Sequence, residues 1–399
     1  MSKYLPINKV VESVSITHKF NKPYLLFLNT SDIERGKIIN KKYLPISELK
    51  GQAKKTIKKD DILFSEIRPK NKRFAYVDIE DTEDYVVSTK LMVLRKINPE
   101  VDNKYFYYFL TSDSMLNILQ DRAENRICSF PQITFDLLSD YKIRVPEIKE
   151  QQRIAAVLST LDAKIEVNNR INAELEFMAR TLYDYWFVQF DFPNKNGKPY
   201  KSSGGKMVWN SELKREIPEA WDTITIKQTL AKERATKKIQ SSEIMQKGAI
   251  PVIDQSTDFI AGYTDNIAAI IKTNTPRIIF GDHTRILKLI NFDFARGADG
   301  TQVMLSSNRR MPQYLFYHTL LKIDLSNYGY ARHYKFLKDQ RIILPDEAIA
   351  ETFNELVCKY YVLIKHNIFE NITLAKLRDW LLPMLMNGQI ALEDIDNVK

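Results

Sequence analysis

Apolar residues recur in a 4-3-4-3 rhythm through two stretches of the chain. The first runs Ile154, Leu158, Leu161, Ile165, Asn168, Asn172, Leu175, Ala179, Leu182, Trp186. The second runs Phe353, Val357, Tyr360, Ile364, Asn367, Asn371, Leu374, Arg378, Leu381, Leu385. A mean spacing of about 3.5 residues is the period of a helix seam that packs on another helix. Neither stretch contains Gly or Pro before Pro383, so each is predicted to form one unbroken helix. At about 1.5 Å rise per residue, some 40 residues make a rod of roughly 60 Å. Arg378 is the one clear break in the pattern.

The two stretches are copies of one pattern. Pro345 lies 199 residues after Pro146, and at that offset Ile165 meets Ile364, Asn168 meets Asn367, Asn172 meets Asn371 and Leu182 meets Leu381. Asn in a helix seam costs stability but fixes register and partner. Two helices matched at such a polar layer pack most simply as an antiparallel pair. The alternative, that each is a core helix of its own globular domain, is disfavoured by the length of the heptad run.

The segments before each helix also repeat, loosely. Asp61-Ile62-Leu63-Phe64-Ser65-Glu66-Ile67-Arg68-Pro69 and the run 85–94 read as strands, as do Pro276-Arg277-Ile278-Ile279-Phe280 and Gln302-Val303-Met304-Leu305. Residues 104–119 and 312–323 read as helices, carrying Tyr105-Phe106-Tyr107-Tyr108 and Tyr314-Leu315-Phe316-Tyr317. Residues 194–206, rich in Lys, Gly and Ser, read as a linker. The expected fold is therefore α/β (α+β): two mixed α/β domains and two long antiparallel coiled-coil helices in a pseudo-twofold repeat. The expected boundaries are a first domain 1–145, a helix 146–187, a linker 188–206, a second domain 207–344, a helix 345–386 and a tail 387–399.

Charge adds a partner. A net charge of +9 favours a polyanion such as nucleic acid. There is no apolar run long enough to span a membrane and no signal-peptide pattern at the start, which points to the cytoplasm. Cys128 and Cys358 stand far apart without metal-ligand spacing, and the histidines show none either.

Several motifs then resemble one family. Pro146-Glu147-Ile148-Lys149-Glu150-Gln151-Gln152-Arg153-Ile154 is similar to the P-x-x-x-E-Q-x-x-I opening of the central helix of Type I restriction-modification specificity subunits. Trp186-Phe187-Val188-Gln189-Phe190 resembles the W-F-x-x-F tail of that helix, and Ile217-Pro218-Glu219-Ala220-Trp221 the I-P-x-x-W entry to the second recognition domain. The run from Leu374 to Ile390, with Leu377-Arg378, Leu381-Leu382-Pro383 and Gly388, resembles the L-x-x-L-R-x-x-L-L-P-x-L-x-x-G-x-I ending. The resemblance covers nearly the whole chain. It implies two target-recognition domains that read the halves of a bipartite, asymmetric site on double-stranded DNA. It also implies a scaffold for two methylation subunits, to which two restriction subunits can be added. S-adenosylmethionine, ATP and magnesium would be cofactors of those partners in a host-defence system, with none held by this chain.

The residues agree that chemistry lies elsewhere. Asn21-Lys22-Pro23-Tyr24 is the nearest match to an amino-methyltransferase motif, but Lys22 stands where it needs Pro, and no glycine-rich cofactor loop accompanies it. Gly204-Gly205-Lys206-Met207 lacks the upstream Gly and the Ser/Thr of a phosphate loop. Asp346 and Glu347 sit at a helix start, where acidic residues favour the dipole. The remaining candidates are DNA contacts. Arg forks guanine and Asn or Gln forks adenine, whereas Lys more often grips phosphate. In the first domain they are Arg68, Lys70, Lys72, Arg73, Arg122, Asn125 and Arg126. In the second they are Arg285, Gln302, Arg332, His333 and Lys335, with His283 and Thr284 alongside. Arg126 and Arg332 rank first because both copies place an Arg there. The competing readings are a free-standing methyltransferase or nuclease, and a purely structural coiled-coil adaptor.

Overall fold

The computed structural model describes residues 3–40, 42–125, 131–233, 236–329 and 332–390. Its contacts divide the chain into two units, residues 1–166 with 371–399 and residues 167–370, so the boundary falls within both long helices.

In the first unit, two four-stranded sheets form the module. One runs Val11–Val14, Leu91–Lys96, Ile62–Ser65, Phe74–Tyr76, antiparallel throughout. The other runs Tyr43–Pro45, Tyr24–Leu28, Tyr85–Ser88, Ala53–Lys55, its central pair parallel. The run 85–94 is thus two strands in different sheets, broken at Thr89 and Lys90; Val87, Leu91 and Val93 share the core between the sheets, while Val86 packs on the outer side of one sheet and Met92 and Leu94 on the other side of the second. Lys3–Pro6 pairs antiparallel with Lys142–Val145, which brings the start and end of the module side by side. The single helix expected over 104–119 is two, Asn103–Thr111 and Asp113–Glu124. Ser112 adopts extended backbone between them, and its hydroxyl caps the second by accepting from the Met115 N–H.

The second unit repeats this plan. Asp222–Thr225 pairs antiparallel with Arg341–Leu344. Leu287–Ile290, Arg277–Gly281 and Thr301–Met304 form an antiparallel sheet in that order. A four-stranded sheet again contains one parallel pair, Ile250–Ile253 with Phe294–Arg296. Helices Gln313–Leu321 and His333–Asp339 follow.

The long helices are Ile148–Tyr183 and Glu347–Met386. In the first unit Ile154, Ala155 and Leu158 join Leu381, Leu382, Leu385 and Met386 in the core shared with the module helices, with Leu161 at its edge. Arg378, the break in the apolar seam, is matched by a polar partner. Its guanidinium donates to Asp162 Oδ1 at 2.7 Å, while Asp162 Oδ2 accepts from the Tyr108 hydroxyl at 2.8 Å. Burial opposes the Arg378 charge, but Asp162 and Asp379 more than offset it, so its pKa lies above the ordinary arginine value. In the second unit the seam carries its own polar layer. Asn168, fully buried, donates to Glu370 at 2.7 Å, and Asn367 donates to Asn172 at 2.8 Å. Position rises on one helix as it falls on the other, so the pair is antiparallel. Phe353, Val357 and Ile364 are buried there, while Leu175, Leu182 and Tyr360 are half-buried. Ile165, Leu374 and Asn371 are half-buried as well.

Family-like motifs have local physical reasons. Gln151 is fully buried; its amide donates to the carbonyls of Pro146 at 2.8 Å and Glu100 at 2.9 Å and accepts from the Asp102 N–H at 2.8 Å. It therefore ties the first turn of the helix to the module. Gly388 ends the second helix at φ +67°, and a Cβ there would lie 2.8 Å from the Arg144 guanidinium. Trp186, Phe187 and Phe190 cluster with Phe353 and Trp221 at ring-centroid separations of 5.1 to 6.0 Å. Truncating a fully buried ring such as Phe353 costs about 3–5 kcal/mol. No helix among the described residues is long and apolar enough to cross a membrane.

Candidate nucleic-acid interface

In each module the middle strand of the antiparallel sheet runs out into an exposed hairpin tip. The first tip, residues 66–73, joins Ile62–Ser65 to Phe74–Tyr76 and carries the turn Pro69–Asn71 between two left-handed residues, Arg68 (φ 46°) and Lys72 (φ 54°). L-residues adopt that conformation at a cost of roughly 1–2 kcal/mol, so the loop must be braced. The braces come from the segment ahead of helix Phe135–Ser139 and from helix Asp113–Glu124. The Arg68 N–H donates to the Pro131 carbonyl at 3.0 Å, and the Ile133 N–H donates to the Glu66 carbonyl at 2.8 Å. Gln120 Oε1 accepts from the Lys70 N–H at 3.2 Å.

These braces sort the basic residues by use. Lys72 pairs with Asp113 at 2.6 Å. Arg73 donates to the carbonyls of Ser31 and Ile33, both at 3.3 Å. Arg122 lies over the Tyr141 ring at 4.9 Å. Arg68, Lys70 and Asn125 are exposed, and among the described residues the Arg68 guanidinium has no hydrogen-bond or ion-pair partner. Arg126 lies outside the described residues. A further cation joins the tip: Arg35, exposed and at φ 47° in the turn between Ile33–Glu34 and Lys37–Ile38, donates its N–H to the Lys72 carbonyl at 2.8 Å.

The second tip, residues 282–286, joins Arg277–Gly281 to Leu287–Ile290. Asp282 is its anchor. Buried, it donates its N–H to the Gly300 carbonyl at 2.7 Å, and its carboxylate accepts from the Tyr334 N–H at 2.7 Å. Its carbonyl accepts the His333 N–H at 3.0 Å and lies 2.9 Å from His333 Nδ1. His333 Nε2 faces the Tyr328 carbonyl at 3.2 Å, so this buried ring braces the loop instead of facing outward. Gln255 is the second anchor. Its amide donates to the Asp299 carbonyl at 2.9 Å and accepts the His283 N–H at 3.1 Å. Lys288 holds the Gln255 loop by donating to the carbonyls of Asp254 and Asp258; burial lowers its pKa, and Asp254 and Asp258 oppose that shift. Around this frame His283, Arg285, Arg332 and Lys335 are exposed, and Gln302 is half-buried on strand Thr301–Met304. Arg285 is left-handed (φ 61°) and donates to the Leu325 carbonyl at 3.3 Å.

The structure therefore brings Arg285, Arg332, His333 and Lys335 to one loop cluster and Arg68 and Lys70 to another. Sequence reasoning passes over Arg35, Gln255 and Lys288, whose roles come from contacts between distant segments. The only local signal is the polar run Asp254-Gln255-Ser256-Thr257 after the apolar strand Ile250–Ile253. Among the described residues no group of three or more His, Cys, Asp or Glu side chains is placed to hold a metal ion.

Comparison with known proteins gives this geometry a family. Residues 13–177 match the model of the Type I restriction modification DNA specificity domain. The chain is 40% identical over 190 residues to the HindI specificity subunit of Haemophilus influenzae, covering 47% of this chain and 41% of that subunit. The match thus spans less than half of that relative's length. It is 27% identical over 326 residues to the MjaIX specificity subunit of Methanocaldococcus jannaschii, covering 75% of this chain and 72% of that one. The fold is similar to the Type I restriction-modification S subunit from M. genitalium, with a TM-score of 0.53 and 17% identity over 97% of this chain and 96% of that one. Over residues 13–177 the chain is similar to the Type I restriction modification DNA specificity domain, and over longer spans it is similar to Type I restriction-enzyme specificity subunits.

Proposed function

We propose that this chain is the DNA-specificity subunit of a Type I restriction-modification system and performs no catalysis itself. One observation carries the reading: a single α/β module occurs twice, each copy on its own long helix, and each copy ends its middle strand in a braced, basic hairpin tip. Two non-identical readers in one chain suit a bipartite, asymmetric target on double-stranded DNA. The net charge of +9 suits the phosphate backbone, which supplies most of the salt-dependent affinity.

In this reading residues 1–145 and 207–344 are the two target-recognition domains. Residues 146–187 and 345–386 are the helices that hold them, and two methylation subunits, with or without two restriction subunits, assemble on those helices. The partners hold S-adenosylmethionine, ATP and magnesium and carry out N6-adenine methylation and ATP-dependent cleavage. What this chain contributes is position: it places a methylation partner on one adenine in each half of the site.

The test is single-molecule sequencing of DNA from cells carrying this chain and its genomic methyltransferase neighbour, with and without an in-frame deletion of residues 207–344. The expected result is N6-methyladenine at a bipartite motif, one half of which is lost or changed by the deletion. Methylation that ignores the chain would overturn the assignment and leave a structural adaptor in its place.

A further inference from the structure

Arg68 and Arg285 occupy the same topological place. Each lies in the tip that leaves an inner strand of an antiparallel sheet, Ile62–Ser65 in one unit and Arg277–Gly281 in the other, each flanked by a strand on both sides. Each tip is braced by the segment that leads into the next short helix, through Pro131 in the first unit and His333 in the second. Both arginines have left-handed backbones, φ 46° and 61°, and both side chains are exposed.

That conformation is the one glycine or asparagine adopts at least cost. An arginine held there gives up backbone energy and recovers none of it by packing. The neighbouring left-handed residues are accounted for otherwise. Lys72 pairs with Asp113, and Asp299 offers its carbonyl to Gln255. Arg35 belongs to the turn between Ile33–Glu34 and Lys37–Ile38; the two-strand pair of the second unit, Met207–Asn210 with Arg215–Pro218, lies ahead of strand Asp222–Thr225 and carries left-handed Lys214 at a different place in the chain order. Arg285 spends one donor on the Leu325 carbonyl, which orients the guanidinium and leaves its other N–H groups available. A planar fork on a stiff, braced tip has the geometry that reads the O6 and N7 edge of guanine in the major groove.

Resting on the specificity-subunit reading, we infer that Arg68 and Arg285 are the paired base readers, each forking a guanine in its own half-site. Lys70, Arg332 and Lys335 then grip the flanking phosphates.

The test is selection of duplexes from a randomised double-stranded pool by the full chain co-purified with its genomic methyltransferase neighbour, followed by sequencing of the bound fraction. Arg68→Ala should erase a G·C pair from one half of the motif only, and Arg285→Ala a G·C pair from the other half only. Each should cost roughly 5- to 150-fold in affinity for the parent site, the equivalent of about 1–3 kcal/mol per lost bidentate contact. The half that is retained shows that the variant is folded. Lys70→Ala should weaken all sequences alike and reduce the salt slope by about one phosphate contact. Arginine variants that keep the complete motif, or weaken every sequence equally, would assign the two residues to phosphate and overturn the inference while the specificity reading stands. A wild-type complex that enriches no motif would overturn both.

Discussion

Replacing Asp162 by Ala tests the polar junction of the first unit. Asp162 accepts two hydrogen bonds, from Arg378 at 2.7 Å and from Tyr108 at 2.8 Å. Its loss leaves a guanidinium and a largely buried phenol facing each other. Breaking a fully buried pair costs about 3–5 kcal/mol, whereas exposed pairs are worth about 0–1 kcal/mol. Arg378 and Asp162 are 30% and 36% exposed, so water recovers part of the penalty. The expected cost is about 2 kcal/mol, the range of one charged hydrogen bond plus part of a neutral one. Native-state hydrogen exchange on the full chain reads this locally: opening of residues 154–166 should become roughly 30-fold easier. The double variant Asp162→Leu with Arg378→Met removes both polar groups and should restore protection to within about 1 kcal/mol, since an apolar replacement leaves no charge stranded. The reasoning is refuted if Asp162→Ala changes protection less than threefold, or if the double variant is less protected than the single one.

Acid should weaken the second unit through His318. Burial first, then Arg180 and Lys322, push its pKa down from 6.5 to about 3, so the folded ring stays neutral while the unfolded one takes up a proton below pH 6.5. Its contribution is whole above pH 6.5 and is lost progressively down to about pH 3, amounting to roughly 2 kcal/mol by pH 5. Urea unfolding from pH 7 to 4.5 should show a flatter decline for His318→Leu, and an unchanged slope would count against the assignment. Gly300→Ala forces a Cβ into φ +73° and within 2.6 Å of Gln255 Nε2 and 2.8 Å of His283 Cδ2. On the proposed reading, it should relax the half-site assigned to the second unit in duplex selection and leave the other half intact; a fully retained motif would show that the Gln255 brace is dispensable. Phe177 and Met178 are 62% and 47% exposed, and changing both to Glu should reduce co-purification of the proposed methylation partner while shifting stability by only about 0.5 kcal/mol. Undiminished co-purification would place the partner on another face.

The long helices are legible in the sequence because their signal is local: an apolar step every three or four residues and no Gly or Pro until Pro383, in the last turn of the second. Even the irregular position was informative once placed, since Arg378 breaks the apolar rhythm where Asp162 and Tyr108 wait to pair with it. The modules are less legible. The run 85–94 is interrupted only by Ser88, Thr89 and Lys90, a polar stretch short enough to sit within one alternating strand, yet Thr89 and Lys90 pass the chain from one sheet to another. Ser112 reads equally well as a helical residue and as a cap; in the fold its hydroxyl donates to the Phe109 carbonyl and accepts from the Met115 N–H, which makes it the cap. The loop clusters are least legible. His333 resembles a surface base contact by composition but is buried as a brace on Asp282, and Gln255 and Lys288 act through residues about 28 to 44 positions away. The sign of the left-handed Arg68 and Arg285 is absent from the letters altogether, because arginine is not the residue that chain geometry would choose there.

The strand pairs that close each module carry a consequence for inheritance. Lys3–Pro6 lies against Lys142–Val145, and Asp222–Thr225 against Arg341–Leu344, so each module enters and leaves through neighbouring strands next to the start of its helix. A segment whose ends are adjacent can be exchanged for another of different length without altering the path of the chain outside it. The Gln151 tie depends on backbone carbonyls and an N–H at Glu100, Asp102 and Pro146, groups that any incoming sequence of the same local shape supplies. A single recombination event can therefore replace one module at a time while both long helices are passed on unchanged.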